Sequence, residues 1–87
     1  MAYRVDVSPA ALRDLKRISR ESHSRIRPVI DRLADNPRPS GVEKLTAQPN
    51  RYRVRAGDYR IVYEIRDSVL VVLVVRVAHR REVYRTP

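Results

Sequence analysis

The groups best suited to chemistry in this chain are guanidinium ions. Arg51, Arg53 and Arg55 alternate along one stretch, Arg60 follows a short turn, and Arg80 and Arg81 come late, with His79 before them and Tyr84 after. In an extended strand, residues two apart project to one face, so Arg51, Arg53 and Arg55 share a surface. Arg60 joins them if the turn places Arg60 and Val62 on that face; a slip of one residue removes it. Clustered arginines grip a phosphate bidentately. They also stabilise the extra charge of a pentacoordinate phosphorane transition state. On RNA the 2′-hydroxyl is an internal nucleophile, so alignment and charge neutralisation suffice and no metal is required. The plainer reading of the same residues is the solvated face of an edge strand, where basic side chains discourage aggregation.

Other chemistries find little support. The chain has no cysteine, hence no disulfide framework and no thiolate nucleophile or ligand. His23 and His79 are far apart in unlike contexts, which argues against a metal centre. Gly41 and Gly57 are its two glycines, too few for a phosphate-cradling loop. His79 is the one well-placed histidine, the side-chain type suited to proton transfer near neutrality. Tyr84 sits on a short polar tail, where core packing makes little demand on it.

Composition gives 19 basic against 10 acidic side chains and a formal charge of +9. For so small a chain, that favours an anionic partner, either nucleic acid or an acidic protein. The longest apolar run, residues 69–75, is far short of the ~20 needed to cross a bilayer, and the N-terminus has no apolar signal segment. No membrane role and a cytoplasmic location are expected, and the absence of cysteine fits a reducing compartment.

The elements that must position these groups are legible as one α+β domain over residues 1–87. Tyr3 to Val7 alternates as a first strand. Ser8-Pro9 is a helix start, and Ala11, Leu12, Leu15 and Ile18 form one stripe behind it. Polar Ser19-Arg20-Glu21-Ser22 breaks the pattern before a second helix carrying Ile26, Val29, Ile30 and Leu33. Pro28 implies a later start or a slight kink in that helix, and Asn36-Pro37 ends it. Residues 42–50 read as irregular, with Leu45 docking on the core. Three strands then form an antiparallel meander, turning at Ala56-Gly57-Asp58 and at Asp67-Ser68. Tyr52, Tyr59 and Tyr63 occupy its apolar phase. The expected order is β-α-α-β-β-β, with a helical hairpin on one face of a small antiparallel sheet.

Three segments taken in order carry a family resemblance: Tyr52-Arg53-Val54-Arg55, Gly57-Asp58-Tyr59-Arg60-Ile61-Val62-Tyr63 and His79-Arg80-Arg81-Glu82-Val83-Tyr84. They resemble the RelE/ParE superfamily of bacterial toxins, the RelE branch most closely, and the likeness covers nearly the whole chain. It implies a toxin encoded beside an acidic antitoxin. It implies entry into the ribosomal A site and cleavage of mRNA by 2′-hydroxyl attack on the adjacent phosphate, without a cofactor. The family's basic strand positions fall on Arg53 and Arg55, its Tyr-Arg arginine on Arg60, and its C-terminal arginine and tyrosine on Arg80 and Tyr84.

The best-known members carry lysine where Arg53 and Arg55 stand. Arginine stays protonated at any physiological pH, so these two are assigned to charge stabilisation and orientation. Proton abstraction then falls to His79, with Tyr84 orienting or donating. Arg51 and Arg81 are expected to help hold substrate. Arg13, Lys16, Arg17 and Arg20, beside the first helix, are expected to meet the antitoxin. Two other functions fit the same scaffold: a ParE-like inhibitor of DNA gyrase that acts by binding alone, and a basic binding module without activity.

Overall fold

A computed structural model describes residues 2–81. Strand β1 (Arg4–Val7) leads directly into helix α1 (Pro9–Arg17). The Ser8 hydroxyl accepts from the Ala11 N–H, and Pro9 occupies the first turn, where its missing N–H costs nothing. Helix α2 (Arg20–Leu33) follows after two residues and is capped by Ser19 in the same way. It therefore takes in Arg20-Glu21-Ser22, which read as a break, and starts earlier than Pro28 implied. Pro28 lies well inside the helix, and the Arg32 Nε donates to the Pro28 carbonyl.

Four more strands complete the sheet: β2 (Glu43–Lys44), β3 (Arg51–Ala56), β4 (Tyr59–Arg66) and β5 (Val71–His79). A short 3-10 turn at Asp67–Val69 links the last two. The spatial order is β1-β5-β4-β3-β2. Two features differ from the expected meander. β1 lies parallel to β5, making the sheet mixed, and β2 forms within the stretch expected to be irregular. The alternation that marks β1 says nothing of its neighbour or direction, and the two-residue β2 is too short to be told from a loop by periodicity.

Ala11, Ile26 and Leu33 of the helices pack on Val54, Ile61, Tyr63, Ile65, Val72, Val74 and Val77 to make the core. Tyr63 is fully buried, and Tyr52 and Tyr59 are partly so, on the phase their alternation indicated. The Tyr63 hydroxyl donates to the Pro37 carbonyl at 2.6 Å, which satisfies a buried polar group and ties the chain after α2 to the sheet. Arg38 reinforces that tie. It lies over the Tyr52 ring and donates in bidentate fashion to Asp67, which also accepts from the Tyr3 hydroxyl. The short β2 strand is thus delivered to the edge of β3 by a braced loop.

Val74 and Val77 are both buried although three residues apart, which strict alternation forbids. The pairing explains it. Val62 faces Arg76 while its neighbour Tyr63 faces Val74, leaving Val75 as an extra residue, a β-bulge. Beyond Val74, β5 has outrun β1, and α1 closes the exposed edge. The Asp14 carboxylate accepts from the Val77 N–H at 2.9 Å and from Arg76 Nε at 2.8 Å, while the Ser8 hydroxyl donates to the Val75 carbonyl.

Candidate functional site

The helices cover one face of the sheet; the arginines occupy the other. Across β3 and β4, Arg51 pairs with Glu64, Arg53 with Val62 and Arg55 with Arg60, while Val54 and Ala56 face the core with Ile61. Directly opposed residues share a face, so Arg51, Arg53, Arg55 and Arg60 stand together, and the condition on the turn register is met. The turn is the two residues Gly57 and Asp58, closed by the Ala56–Tyr59 pair. Gly57 has φ of +62°, a conformation that costs a residue with a side chain but not glycine. With Ala56 and Tyr59 as the closing pair, this turn sets the register of the whole arginine face.

Local bonds orient each guanidinium. Arg55 Nε donates to the Gly57 carbonyl and Arg60 Nη1 to the Tyr59 carbonyl, both at 3.2 Å. Arg53 meets a carboxylate: its Nη2 donates to both oxygens of Glu43, at 3.1 and 3.2 Å, from the strand β2 laid beside it. Arg51 Nη1 donates to Gln48 Oε1. Arg80 follows β5, and its N–H donates to the Asp58 carbonyl at 2.8 Å. That bond seats Arg80 against the β3–β4 turn, at the same end of the sheet as Arg55 and Arg60. Arg81 is exposed beside it.

His79 stands apart from this group. It pairs with Tyr59, whose side chain belongs to the core face, and its ring meets Tyr59 edge-on with centroids 5.4 Å apart. The bulge at Val75 is the cause, because it shifts the residues after it by one position and turns Val77 and His79 toward the helices. Tyr84 lies outside the described residues. Arg13, Lys16, Arg17 and Arg20 are all exposed on the helical hairpin, away from the arginine face. Among the described residues no cluster of His, Cys, Asp or Glu could hold a metal ion, and no helix is long and apolar enough to cross a membrane.

A sheet face that carries Arg51, Arg53, Arg55 and Arg60, with Arg66 and Arg76 in the same phase and Arg80 at the rim, suits a flexible polyanion. Residues 5–84 match the family model described as the ParE toxin of type II toxin–antitoxin systems, parDE. The chain belongs to the RelE/ParE family of toxins. Within it the likeness runs to the RelE branch. The mRNA interferase toxin RelE of Escherichia coli is 30% identical, over 97% of this chain and 92% of its own length. Among solved structures, RelE in the RelE–RelB complex of Pyrococcus horikoshii superimposes with a TM-score of 0.80, at 27% identity over 92% of this chain and 97% of that one. The intact RelBE toxin–antitoxin complex of E. coli gives 0.78, at 26% identity over 90% and 96%. This RelE-branch toxin therefore shares its strand, helical hairpin and following strands with those relatives.

Glu43 was not singled out by the sequence. A Glu-Lys dipeptide in a polar stretch carries no signal of its own, and the pairing of β2 with β3 is what brings it to Arg53.

Proposed function

We propose that this toxin is an endoribonuclease that enters the ribosomal A site and cuts mRNA there, inhibiting translation. The observation that carries the reading is the pairing of Arg55 with Arg60 beside Arg53 on the sheet face that, among the described residues, no helix covers. Three guanidinium groups then share the face to which a bent RNA backbone can present its scissile phosphate. The similarity to a protein named as an mRNA interferase supports it.

In this mechanism Arg55 and Arg60 hold the non-bridging phosphate oxygens, and Arg80 closes on them from the rim. The RNA's own 2′-oxygen attacks phosphorus in line, and the arginines stabilise charge as it builds on the phosphorane. No step calls for a metal held by the toxin, so cleavage should persist with a chelator that takes up zinc and other transition metals but spares the magnesium the ribosome needs. Tyr84 is assigned to orienting the substrate or stacking on a base. Arg51 and Arg81 extend the phosphate track.

Control in the cytoplasm falls to an acidic antitoxin, as the RelB complexes of the relatives suggest. Arg13, Lys16, Arg17 and Arg20 on the helical hairpin are its proposed contacts.

The test is mapping of mRNA 5′ ends in a cell-free translation reaction with and without the protein. Codon-spaced cuts that depend on ribosomes and vanish in Arg80→Ala are the expected result. The matched family description names ParE, which keeps a binding-only toxin in view. Absence of cuts together with inhibited supercoiling by added DNA gyrase would replace the nuclease reading with that one.

A further inference from the structure

Among the described residues, the arginines that define this face offer no proton acceptor themselves. Guanidinium groups do not give up a proton at neutral pH, and His79 faces Tyr59 on the other side of the sheet. Among the described residues the strands place three carboxylates on this face: Asp6, Glu64 and Glu43. Asp6 lies on β1, beyond β5 and β4, and is bonded to Arg4. Glu64 pairs across from Arg51, two rows from the Arg55–Arg60 pair, and is engaged by Arg66 with its side chain 20% exposed. Glu43 differs in both respects. It stands one strand from Arg53, in the row next to Arg55 and Arg60, and its side chain is 67% exposed.

We infer that Glu43 is the general base of the cleavage reaction, held in place by Arg53. This rests on the nuclease reading above. Adjacent rows on one strand face are ~7 Å apart. A phosphate seated on Arg55 and Arg60 thus puts the neighbouring ribose within reach of the Glu43 carboxylate. Arg53 bonds both oxygens through a single nitrogen, Nη2, which fixes the carboxylate's direction while leaving lone pairs on each oxygen unused. A base oriented by a third group is the arrangement that activates hydroxyl nucleophiles elsewhere.

In the step itself, Glu43 takes the 2′-hydroxyl proton as the 2′-oxygen bonds to phosphorus. The P–O5′ bond breaks, and the departing 5′-oxygen takes a proton from solvent water. The products are a 2′,3′-cyclic phosphate and a 5′-hydroxyl, and Glu43 returns its proton to solvent.

Glu43→Gln tests this in the full chain, by single-turnover cleavage of mRNA on programmed ribosomes. Glutamine keeps an acceptor for Arg53 but cannot take the proton. The expected result is a fall in the cleavage rate of ~10²–10⁴-fold, with unchanged apparent substrate affinity and unchanged thermal unfolding. A second substrate carries sulfur in place of the scissile 5′-oxygen, so its leaving group needs no proton. The defect should persist on it, because loss of a base is not repaired by a better leaving group.

Cleavage by Glu43→Gln at the wild-type rate or faster would overturn the inference. So would a defect confined to apparent affinity, which would make Glu43 a support for Arg53 alone. Rescue by the sulfur substrate would overturn it too, by making Glu43 the acid. In each of these cases the wild type still cuts and the nuclease reading stands. If the wild type cuts nothing, that reading fails and the inference falls with it.

Discussion

Arg55 and Arg60 stand directly opposite one another across the β3–β4 pair. Two like charges at that spacing repel, and such pairs ordinarily weaken a hairpin. Here each guanidinium is turned onto a nearby carbonyl, Arg55 onto Gly57 and Arg60 onto Tyr59. Those bonds orient the charges without neutralising them, as a site for an anion requires.

Single substitutions Arg55→Ala and Arg60→Ala should therefore separate stability from activity. Removing either charge relieves the repulsion, and the unfolding free energy should stay level or rise by up to ~1 kcal/mol. Cleavage on ribosomes should fall by ~10²-fold or more, in line with loss of one charge-stabilising donor. Urea titration and 5′-end mapping on the same preparations would check both. Lost activity with equally lost stability would argue for a structural pair.

His79→Ala should keep cutting mRNA at a rate close to wild type. The His79 ring makes an edge-on contact with Tyr59 at 5.4 Å, so its removal should cost ~0.5–1.5 kcal/mol of stability. A cleavage rate reduced a hundredfold with unchanged stability would return His79 to the reacting groups.

Asp14 links acidity to the fold. Burial pushes its carboxyl up, but the bonds from Arg76 and the Val77 N–H, with the Arg76 and Arg17 charges, outweigh burial and hold it below the usual carboxylate range. A depressed folded value means that the charged form stabilises the fold. That contribution is present above the unfolded carboxylate pKa of ~3.9 and is lost as pH falls through the folded value. Asp14→Asn should thus be less stable than wild type at neutral pH, and the gap should close in acid. Asp14→Ala also leaves the Val77 N–H without its acceptor and should cost ~1–3 kcal/mol. Denaturant titrations across the acid range measure both effects.

Tyr63→Phe isolates one buried bond. The lost hydroxyl is the 2.6 Å partner of the Pro37 carbonyl, so ~1–3 kcal/mol should disappear. Since that bond anchors the loop leading to β2, protease cleavage after α2 should also become faster. Unchanged cleavage kinetics would mean that Arg38, bonded to Asp67 and Tyr52, anchors the loop without help.

Much of the architecture could be read residue by residue. Ser8-Pro9 announced α1, and the alternation of Tyr52 and Val54 with arginines announced β3, because capping chemistry and side-chain period are local properties. The start of α2 at Ser19 was not legible: residues 19–22 read as a polar break before the helix, and Pro28 argued for a later start still. Packing of Ile26 and Leu33 on the core holds the helix through the missing bond. β2 was not legible, since a two-residue strand exists only by virtue of the edge it pairs with.

For the site, the chain alone determined that Arg51, Arg53 and Arg55 share one face, since two residues advance a strand by one full period. It also placed a turn at Ala56-Gly57-Asp58 but left the register open, and the Ala56–Tyr59 pairing is what makes Arg60 join them. The tertiary structure decided the rest. The long apolar run of β5 has no polar residue to mark its phase, so nothing local reveals the bulge at Val75. That one unpaired residue sends His79 to the core side. Glu43 reaches Arg53 only because the Pro37–Arg38 loop is tied to Tyr63, Tyr52 and Asp67, contacts between residues distant in the chain. Side-chain period is written in neighbouring residues; the approach of one edge to another is fixed only when the core closes.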